Sequence, residues 1–317
     1  MIKSNRVLIV VILATLLLAA LPFVGLNLYL VSFLFLLMMN ISLTVGWNII
    51  GGYAGYVSFG HVAFVGVGGY TTAVLLAKFN LSPIITTPLA GIVAALVALV
   101  VGYPALRLRG PYFSLITLVI SLAIAAVVLN IPGINAASGI FLSAPSGDIH
   151  SSRLILFEMM VVVLLFTILC AYFIEKSKFG IGLKAIREDE VVAATQGVNT
   201  TNLKLLAFVI SGGLAGIVGG VFSWYKGLVF VDAMFSVNIS VMIVLMALLG
   251  GTHSWIGAVV GSVLVMVINE FLTLSIGSNL SQIIFGILLV VTILFIPNGI
   301  VGWIEAQMHK FKKKAKG

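Results

Sequence analysis

Apolar residues fill most of the chain in blocks of about 20 residues, separated by short polar or glycine-rich segments. A block of this length suffices for an α-helix to cross a bilayer. The pattern predicts about ten membrane spans. They lie near 7–25, 29–45, 62–77, 84–106, 112–130, 154–174, 205–224, 236–250, 256–274 and 282–297. No A-x-A-like cleavage site follows the first block, so we interpret it as a span rather than a signal peptide. The expected fold is all-α: one polytopic transmembrane helical bundle over residues 1–317.

The segment 51–70, GGYAGYVSFGHVAFVGVGGY, breaks this pattern with closely spaced glycines and polar side chains. A glycine-rich break is tolerated in a bilayer only where it packs on protein or lines a watery path. Broken helices also expose amides and carbonyls that can bind an amino-acid zwitterion. We therefore predict a broken helix here and a substrate path lined by polar residues around it. These are Asn48, Tyr53, Tyr56, Ser58 and His61.

Three further features of the predicted spans are informative. His61 has two open roles, a helix cap or interhelical hydrogen bond, and direct contact with substrate. Glu270 is interpreted as the only carboxylate within a span, which makes it a functional candidate, although it lies near an outer end. The row Gly212, Gly216 and Gly220 indicates a close helix contact, with a sliding surface as the alternative.

Composition agrees with a membrane protein, since 61% of the residues are hydrophobic and only 8% are charged. Of the 17 Lys and Arg residues, all but Lys78, Arg153 and Lys226 fall in segments on one side of the predicted membrane. This bias predicts that both termini are cytoplasmic. The basic tail at 298–317 is also suited to contact anionic lipid. No nucleic-acid module is recognised, and one cysteine provides neither a disulfide nor a cysteine metal site.

A long cytoplasmic loop is expected at 175–204. The stretch from Leu183 to Gln196 lacks Pro and Gly, which predicts one or two short surface helices that end at Gly197. Residues 199–202 (NTTN) are suitable caps for the next span. Small residues that permit close approach and charged residues that set orientation suggest a docking surface, with a solvated loop as the alternative. They are Arg187, Glu188, Asp189, Glu190, Ala193, Ala194 and Gly197.

Enzymatic motifs are missing from this sequence. There is no G-x-x-x-x-G-K-[ST] phosphate loop, no G-x-S-x-G elbow and no H-E-x-x-H helix. We therefore expect a transport subunit that does not hydrolyse ATP alone, with no metal and no cofactor of its own. An ion-coupled secondary transporter is the alternative class, because it would also use broken helices.

Three segments carry a family resemblance: GWNIIGGYAGYVSFGHVAFVGVGGY from Gly46, RLRGPYFSLITL from Arg107, and AIREDEVVAATQGVNTTNLKLLAFVISGGLAGIVGG from Ala185. With them the chain resembles the M-type permease of bacterial ATP-binding-cassette importers for branched-chain amino acids. LLGGTHSWIGAVVGS from Leu248 is a looser likeness, because Ile256 and Gly257 stand where the family commonly has glycine and proline.

The resemblance implies a role for this chain and a set of partners. It implies that the stretch from Glu190 to Gly197 docks on a cytoplasmic ATPase, which uses the ATP. It also implies an inner-membrane location, a second homologous permease, two ATP-binding subunits and a periplasmic solute-binding protein. Leucine, isoleucine and valine are the expected solutes. Urea, short amides and other amino acids remain alternatives, because similar scaffolds carry different cargo.

Overall fold

The computed structural model describes residues 11–302 except 12, 16, 25–26, 135, 144–148, 277 and 296–298. Helical residues within 11–20 lead into a 3-10 turn at Leu21–Val24. The helices that follow are α1 (Leu28–Asn48), α2 (His61–Phe79), α3 (Pro83–Ala105), α4 (Pro111–Leu129), α5 (Ile149–Lys176), α6 (Lys178–Glu188), α7 (Glu190–Thr195), α8 (Thr200–Lys226), α9 (Val231–Met234), α10 (Val237–Gly250), α11 (Trp255–Ile276) and α12 (Ser278–Phe295).

Two short strands, β1 (Ile140–Phe141) and β2 (Leu228–Val229), form an antiparallel pair in the connections at one end of the bundle. The helices α6 and α7 lie at the opposite end, which we call the loop end. The all-α bundle is confirmed, with this strand pair as a small addition.

Eight helical segments among the described residues are long and apolar enough to cross a membrane. They correspond to α1 with the turn that follows it, α2, α3, α4, α5, α8, α9 with α10, and α11. The predicted span at 7–25 lies partly outside the described residues, and so does the end of the span at 282–297. The basic tail beyond residue 302 also lies outside them. A polytopic helical bundle is therefore confirmed, whereas the count of ten stays a prediction.

The glycine-rich break lies at the loop end, between α1 and α2. After Asn48 the chain makes a π-helical turn at Ile49–Tyr53, and α2 begins at His61. Side chains from the protein satisfy several backbone groups of the break: Trp47 Nε1 donates to the Ser58 carbonyl at 2.8 Å, and Ser114 Oγ donates to the Val57 carbonyl at 2.7 Å. The break is therefore stabilised by packing on protein, one of the two environments that a bilayer permits.

Close packing of α8 on α3 forms the centre of the bundle. The predicted glycine row of α8 faces alanines of α3: a Cβ on Gly216 would lie 2.2 Å from the Ala94 Cβ, and a Cβ on Gly212 would lie 2.7 Å from the Ala98 Cβ. Real Cβ atoms do not approach that closely, so only glycine permits this helix separation. The prediction of a close helix contact is confirmed.

Candidate functional site

Two tyrosines of the break bond it to neighbouring helices through two clusters of the same composition, each with one tyrosine, one glutamate and one lysine. The Tyr53 hydroxyl donates to Glu175 Oε2 at 3.2 Å, and Lys184 Nζ contacts the other oxygen of that carboxylate at 3.2 Å. We call Tyr53, Glu175 and Lys184 the first triad. Each of its members comes from a different segment: the break, the end of α5 and α6. The break and α6 are therefore joined through a carboxylate on α5.

The second triad consists of Tyr56, Glu190 and Lys204. The Tyr56 hydroxyl donates to Glu190 Oε2 at 2.6 Å, Lys204 Nζ contacts Glu190 Oε1 at 2.6 Å, and Lys204 also donates to the Tyr56 oxygen at 2.9 Å. Arg109 Nε lies 3.3 Å from Glu190 Oε2. Because Glu190 begins α7 and Lys204 lies in the first turns of α8, this triad joins the break to the start of α7 and to the start of α8.

Burial and charge act against each other at Glu190. Burial raises the pKa of its carboxyl, but hydrogen bonds from Lys204 and Tyr56 lower it, as do the positive charges of Lys204 and Arg109. The net result is a pKa below the ordinary value. The pKa of the Tyr56 hydroxyl is raised, first by burial and then by its bond to Glu190. Glu190 is therefore an ionised carboxylate that lies between the neutral Tyr56 phenol and the basic side chains of Lys204 and Arg109.

Arg187 makes a third connection, directly to the backbone of the break. Its Nη1 donates to the Gly52 carbonyl at 2.6 Å. Gly55 has φ +76, and a Cβ there would lie 3.1 Å from the Arg187 Cγ. A side chain at Gly55 would therefore be strained by its backbone and crowded by the arginine. Burial lowers the pKa of the Arg187 guanidinium.

His61 lies in the protein interior, where it bonds two serines. Its Nε2 is 2.6 Å from Ser211 Oγ, and its Nδ1 is 3.2 Å from Ser58 Oγ. Ser211 donates its own hydrogen to the Gly46 carbonyl at 2.8 Å, so Ser211 accepts from His61 Nε2. Ser58 can then donate to Nδ1, and one neutral tautomer satisfies every bond. Of its two open roles, the structure shows the interhelical hydrogen bond.

The predicted path residues around the break lie together and are buried: Asn48, Tyr53, Tyr56, Ser58 and His61. Asn48 Nδ2 donates to the Ser254 carbonyl at 3.3 Å, which ties α1 to the start of α11. Within this single chain, these side chains contact protein. Their contact with substrate stays a prediction.

Glu270 is not part of this group. It lies in α11 about 22 Å along the helix axis from Trp255, toward the end opposite the loop, and accepts a hydrogen bond from Tyr29. The expectation that it is the only carboxylate within a span is wrong, because Glu158 lies within α5. One oxygen of Glu158 is buried without a hydrogen-bond partner among the described residues. The sequence already indicates Glu158 as a second candidate, because it is an acidic residue inside the apolar block at 154–174.

The seven predicted docking residues divide between two surfaces. Arg187, Glu190 and Ala193 face this chain, since the first two bond it and Ala193 is buried. The other four are exposed: Glu188, Asp189, Ala194 and Gly197. Val191 and Val192 are also exposed, at 59% and 55%. We call Glu188, Val191, Val192 and Ala194 the outer face of the loop helices.

Local sequence explains why the loop folds as two helices. Ser177 accepts the Gly180 amide at the start of α6, and Asp189 accepts the Val191 and Val192 amides at the start of α7. Gly197 has φ +85, a conformation that favours glycine, and Asn199 caps α8 by accepting the Asn202 amide. The two short helices, their end at Gly197 and the capping segment are confirmed.

Sequence reasoning missed Glu175, Lys204 and Arg109 as members of the site. Each is far in sequence from the tyrosine with which it clusters, and a charged residue at the end of a span is ordinarily read as an interfacial residue. Lys204 carried the strongest available signal. It lies between Leu203 and Leu205 near the start of an apolar span. The structure shows that its side chain is only 5% exposed.

Membrane-spanning helices, a break between two of them and a helical loop bonded to that break characterise this chain. Buried connections between a docked helical loop and a broken membrane helix are suited to transmitting motion, and among the described residues no group of three or more His, Cys, Asp or Glu could hold a metal ion. The chain is a polytopic membrane protein whose loop helices are bonded to a broken membrane helix. It belongs to the family described as "Branched-chain amino acid transport system / permease component", which it matches over residues 29–293.

Individual relatives agree with the family. The chain is 27% identical over 309 residues to the high-affinity branched-chain amino acid transport system permease protein LivM of Salmonella typhimurium, covering 88% of this chain and 72% of that protein. It is 26% identical to the probable permease protein LivH of Methanocaldococcus jannaschii, covering 77% of this chain and 82% of that one. It is 24% identical to the high-affinity branched-chain amino acid transport system permease protein BraD of Pseudomonas aeruginosa, covering 84% of this chain and 92% of that protein. No solved structure gives a significant match.

Proposed function

We propose that the chain is the membrane-spanning permease subunit of an ATP-binding-cassette importer that carries leucine, isoleucine and valine. The observation that carries this proposal is the docked loop in a chain of this family. Its inner face is bonded to the broken helix by the two triads, and its outer face carries exposed apolar residues. A partner that moves the outer face would thereby move the break.

The outer face is the proposed contact for a cytoplasmic ATPase. Val191 and Val192 are apolar and exposed on α7, and Ala194 and Gly197 beside them leave room for a partner. A Cβ on Gly197 would meet nothing within 4 Å in this chain, which leaves that space open to another protein. Glu188 and Asp189 add negative charge that can select a basic partner surface.

Val192→Asp tests this contact. We expect the variant to insert and fold normally but to lose copurification of the ATP-binding subunits, because a charge would replace an apolar contact. Phe141→Asp is the matched control, since Phe141 is 76% exposed at the opposite end. Normal copurification and normal uptake by Val192→Asp would refute the docking assignment.

Charge supports a cytoplasmic loop end, and the bacterial relatives support an inner-membrane location. Seven basic residues among the described helices and turns lie at the loop end, against three at the opposite end. The seven are Arg107, Arg109, Lys176, Lys178, Lys184, Arg187 and Lys204. We propose a complete transporter that contains a second homologous permease, two ATP-binding subunits and a periplasmic binding protein. The substrate path would lie between the two permeases.

Uptake by intact cells tests the cargo and the energy source together. Cells without this gene, with and without a restored copy, should be given labelled leucine, isoleucine, valine or urea. We expect restored uptake of the three branched-chain amino acids that follows ATP when ATP and the proton gradient are depleted separately. Restored uptake of urea alone would identify a different cargo. Uptake that collapses with the gradient while ATP persists would identify an ion-coupled transporter.

The buried path residues imply that substrate contact requires movement of the break. Tyr56→Phe removes the hydroxyl that bonds Glu190 but keeps the ring. We expect this variant to assemble with the ATPases yet transport more slowly, because the loop and the break are less tightly joined. Tyr225→Phe is a control, since Tyr225 lies away from the triads and stacks on Phe35. Uptake kinetics for Tyr56→Phe that match the unaltered protein would remove the hydroxyl from the mechanism.

A further inference from the structure

A pocket of about 400 Å³ opens beside the second triad, and its lining contains Glu190 and Lys204 but no residue of the break. It lies where α3 ends, where the turn before α4 passes, and where α8 begins. Its polar lining is formed by Tyr103, Arg107, Arg109, Glu190, Thr201 and Lys204. This pocket is distinct from the buried region that we propose as the substrate path.

The pocket is electropositive. Three cations and one carboxylate line it, so two positive charges remain uncompensated by its own walls. Lys204 and the Nε of Arg109 are occupied by Glu190. The guanidinium of Arg107 lies 4.9 Å over the Tyr103 ring and forms no hydrogen bond or ion pair within the described part of the chain. The donors of Arg107 and the terminal nitrogens of Arg109 are therefore available to an anion.

The start of α8 adds to this preference. Thr201 is in the first turn of that 27-residue helix, where the helix dipole places partial positive charge. Guanidinium groups and helix amino ends are both common ligands of phosphate. The pocket thus has the chemistry of a phosphate site.

An apolar stripe on α3 leads away from the pocket into the membrane. Exposed apolar residues recur at helical spacing on the face that ends at Tyr103, and they cover about 16 Å along the helix axis. They are Ile92, Leu96, Leu99, Val100 and Tyr103. A phosphate site at the membrane surface with an apolar track below it fits a molecule with a charged head and an acyl chain.

We propose that this pocket binds the headgroup phosphate of an anionic phospholipid, with Arg107 and Arg109 as its ligands and one acyl chain along the α3 stripe. The lipid belongs to the leaflet at the loop end. Bound there, its phosphate lies next to the Arg109 guanidinium that contacts Glu190. The lipid therefore supports the triad that joins α7 to the break.

The test measures lipid binding to the full chain in detergent, without ATPases or substrate, so its result does not depend on the transport proposal. Fluorescent phosphatidylglycerol and phosphatidylcholine are titrated into the unaltered protein and into Arg107→Gln. Lys226→Gln is the matched control, because Lys226 also lies over an aromatic ring one turn earlier, at 5.4 Å from Phe222, but at the opposite end. Thermal unfolding of each variant confirms that it is folded.

We expect the unaltered protein and Lys226→Gln to prefer phosphatidylglycerol, and Arg107→Gln to bind it at least roughly tenfold more weakly. Soluble glycerol 3-phosphate should compete poorly, because it lacks the acyl chain. Equal binding of phosphatidylglycerol by folded Arg107→Gln would overturn the site. Competition by glycerol 3-phosphate as strong as that of the lipid would identify a soluble phosphate ligand and overturn the lipid assignment.

Discussion

Lys204 is a buried cation whose ammonium hydrogens are all directed at acceptors of this chain. They are the Glu190 carboxylate, the Tyr56 oxygen and, at 3.4 Å, the Leu106 carbonyl. Lys204→Met keeps the length of the side chain and removes the charge. We expect it to lower the free energy of unfolding by about 2–4 kcal/mol, because the buried carboxylate loses its principal partner. Denaturant or thermal unfolding of the purified protein measures the change.

A double-mutant cycle separates the ion pair from general packing. Glu190→Gln is combined with Lys204→Met, and the three variants are compared with the unaltered protein. We expect the double variant to lose less free energy of unfolding than the two single variants lose together. The reason is that each single variant leaves one group without its charge partner. Additive losses would show that the two side chains do not stabilise each other.

The pH dependence of stability should report Glu190 directly. Its folded pKa lies below the ordinary value of 4.5, so the carboxylate stabilises the fold above the unfolded pKa. That contribution is lost as the pH falls through the folded pKa. Below about pH 5 the unaltered protein should therefore lose stability faster than Glu190→Gln, as measured by thermal midpoints. Parallel curves for the two proteins would contradict this assignment.

At the scale of elements, the separation of α2 from α8 depends on glycine. A Cβ on Gly219 would lie 2.1 Å from the Val65 carbonyl oxygen, which is backbone and cannot rotate away. Gly219→Ala should therefore push the helices apart and lower the free energy of unfolding by about 1–3 kcal/mol. Loss of thermal stability in detergent is the measurement.

Gly286 provides the control for that substitution. It also lies within a helix, α12, but a Cβ there would meet nothing within 4 Å. Gly286→Ala should leave stability unchanged or raise it slightly, because alanine has the higher helix propensity. Equal losses at the two positions would indicate that helix separation does not limit the substitution at Gly219.

Elements were far more predictable from the sequence than contacts. The break, the loop helices and the end at Gly197 follow from local signals, because glycines, caps and apolar blocks act within a few residues. The triads could not be predicted in the same way, since Tyr53 and Glu175 are 122 positions apart. Only the fold shows that Arg187 and Glu190 face inward while Val191 faces out.

At the scale of the whole molecule, charge and topology specify an orientation that labelling can test. The loop end holds most of the described basic residues, which predicts that it faces the cytoplasm. Cys170 is the single cysteine, so Cys170→Ala provides a cysteine-free background. Into it are placed Lys178→Cys at the loop end or Phe141→Cys at the other end; both native side chains are exposed. In intact spheroplasts, a membrane-impermeant maleimide should label Phe141→Cys at once and Lys178→Cys only after the membrane is disrupted. The opposite order would place the loop helices outside the cell, out of reach of any cytoplasmic ATPase, and the importer assignment would fail with it.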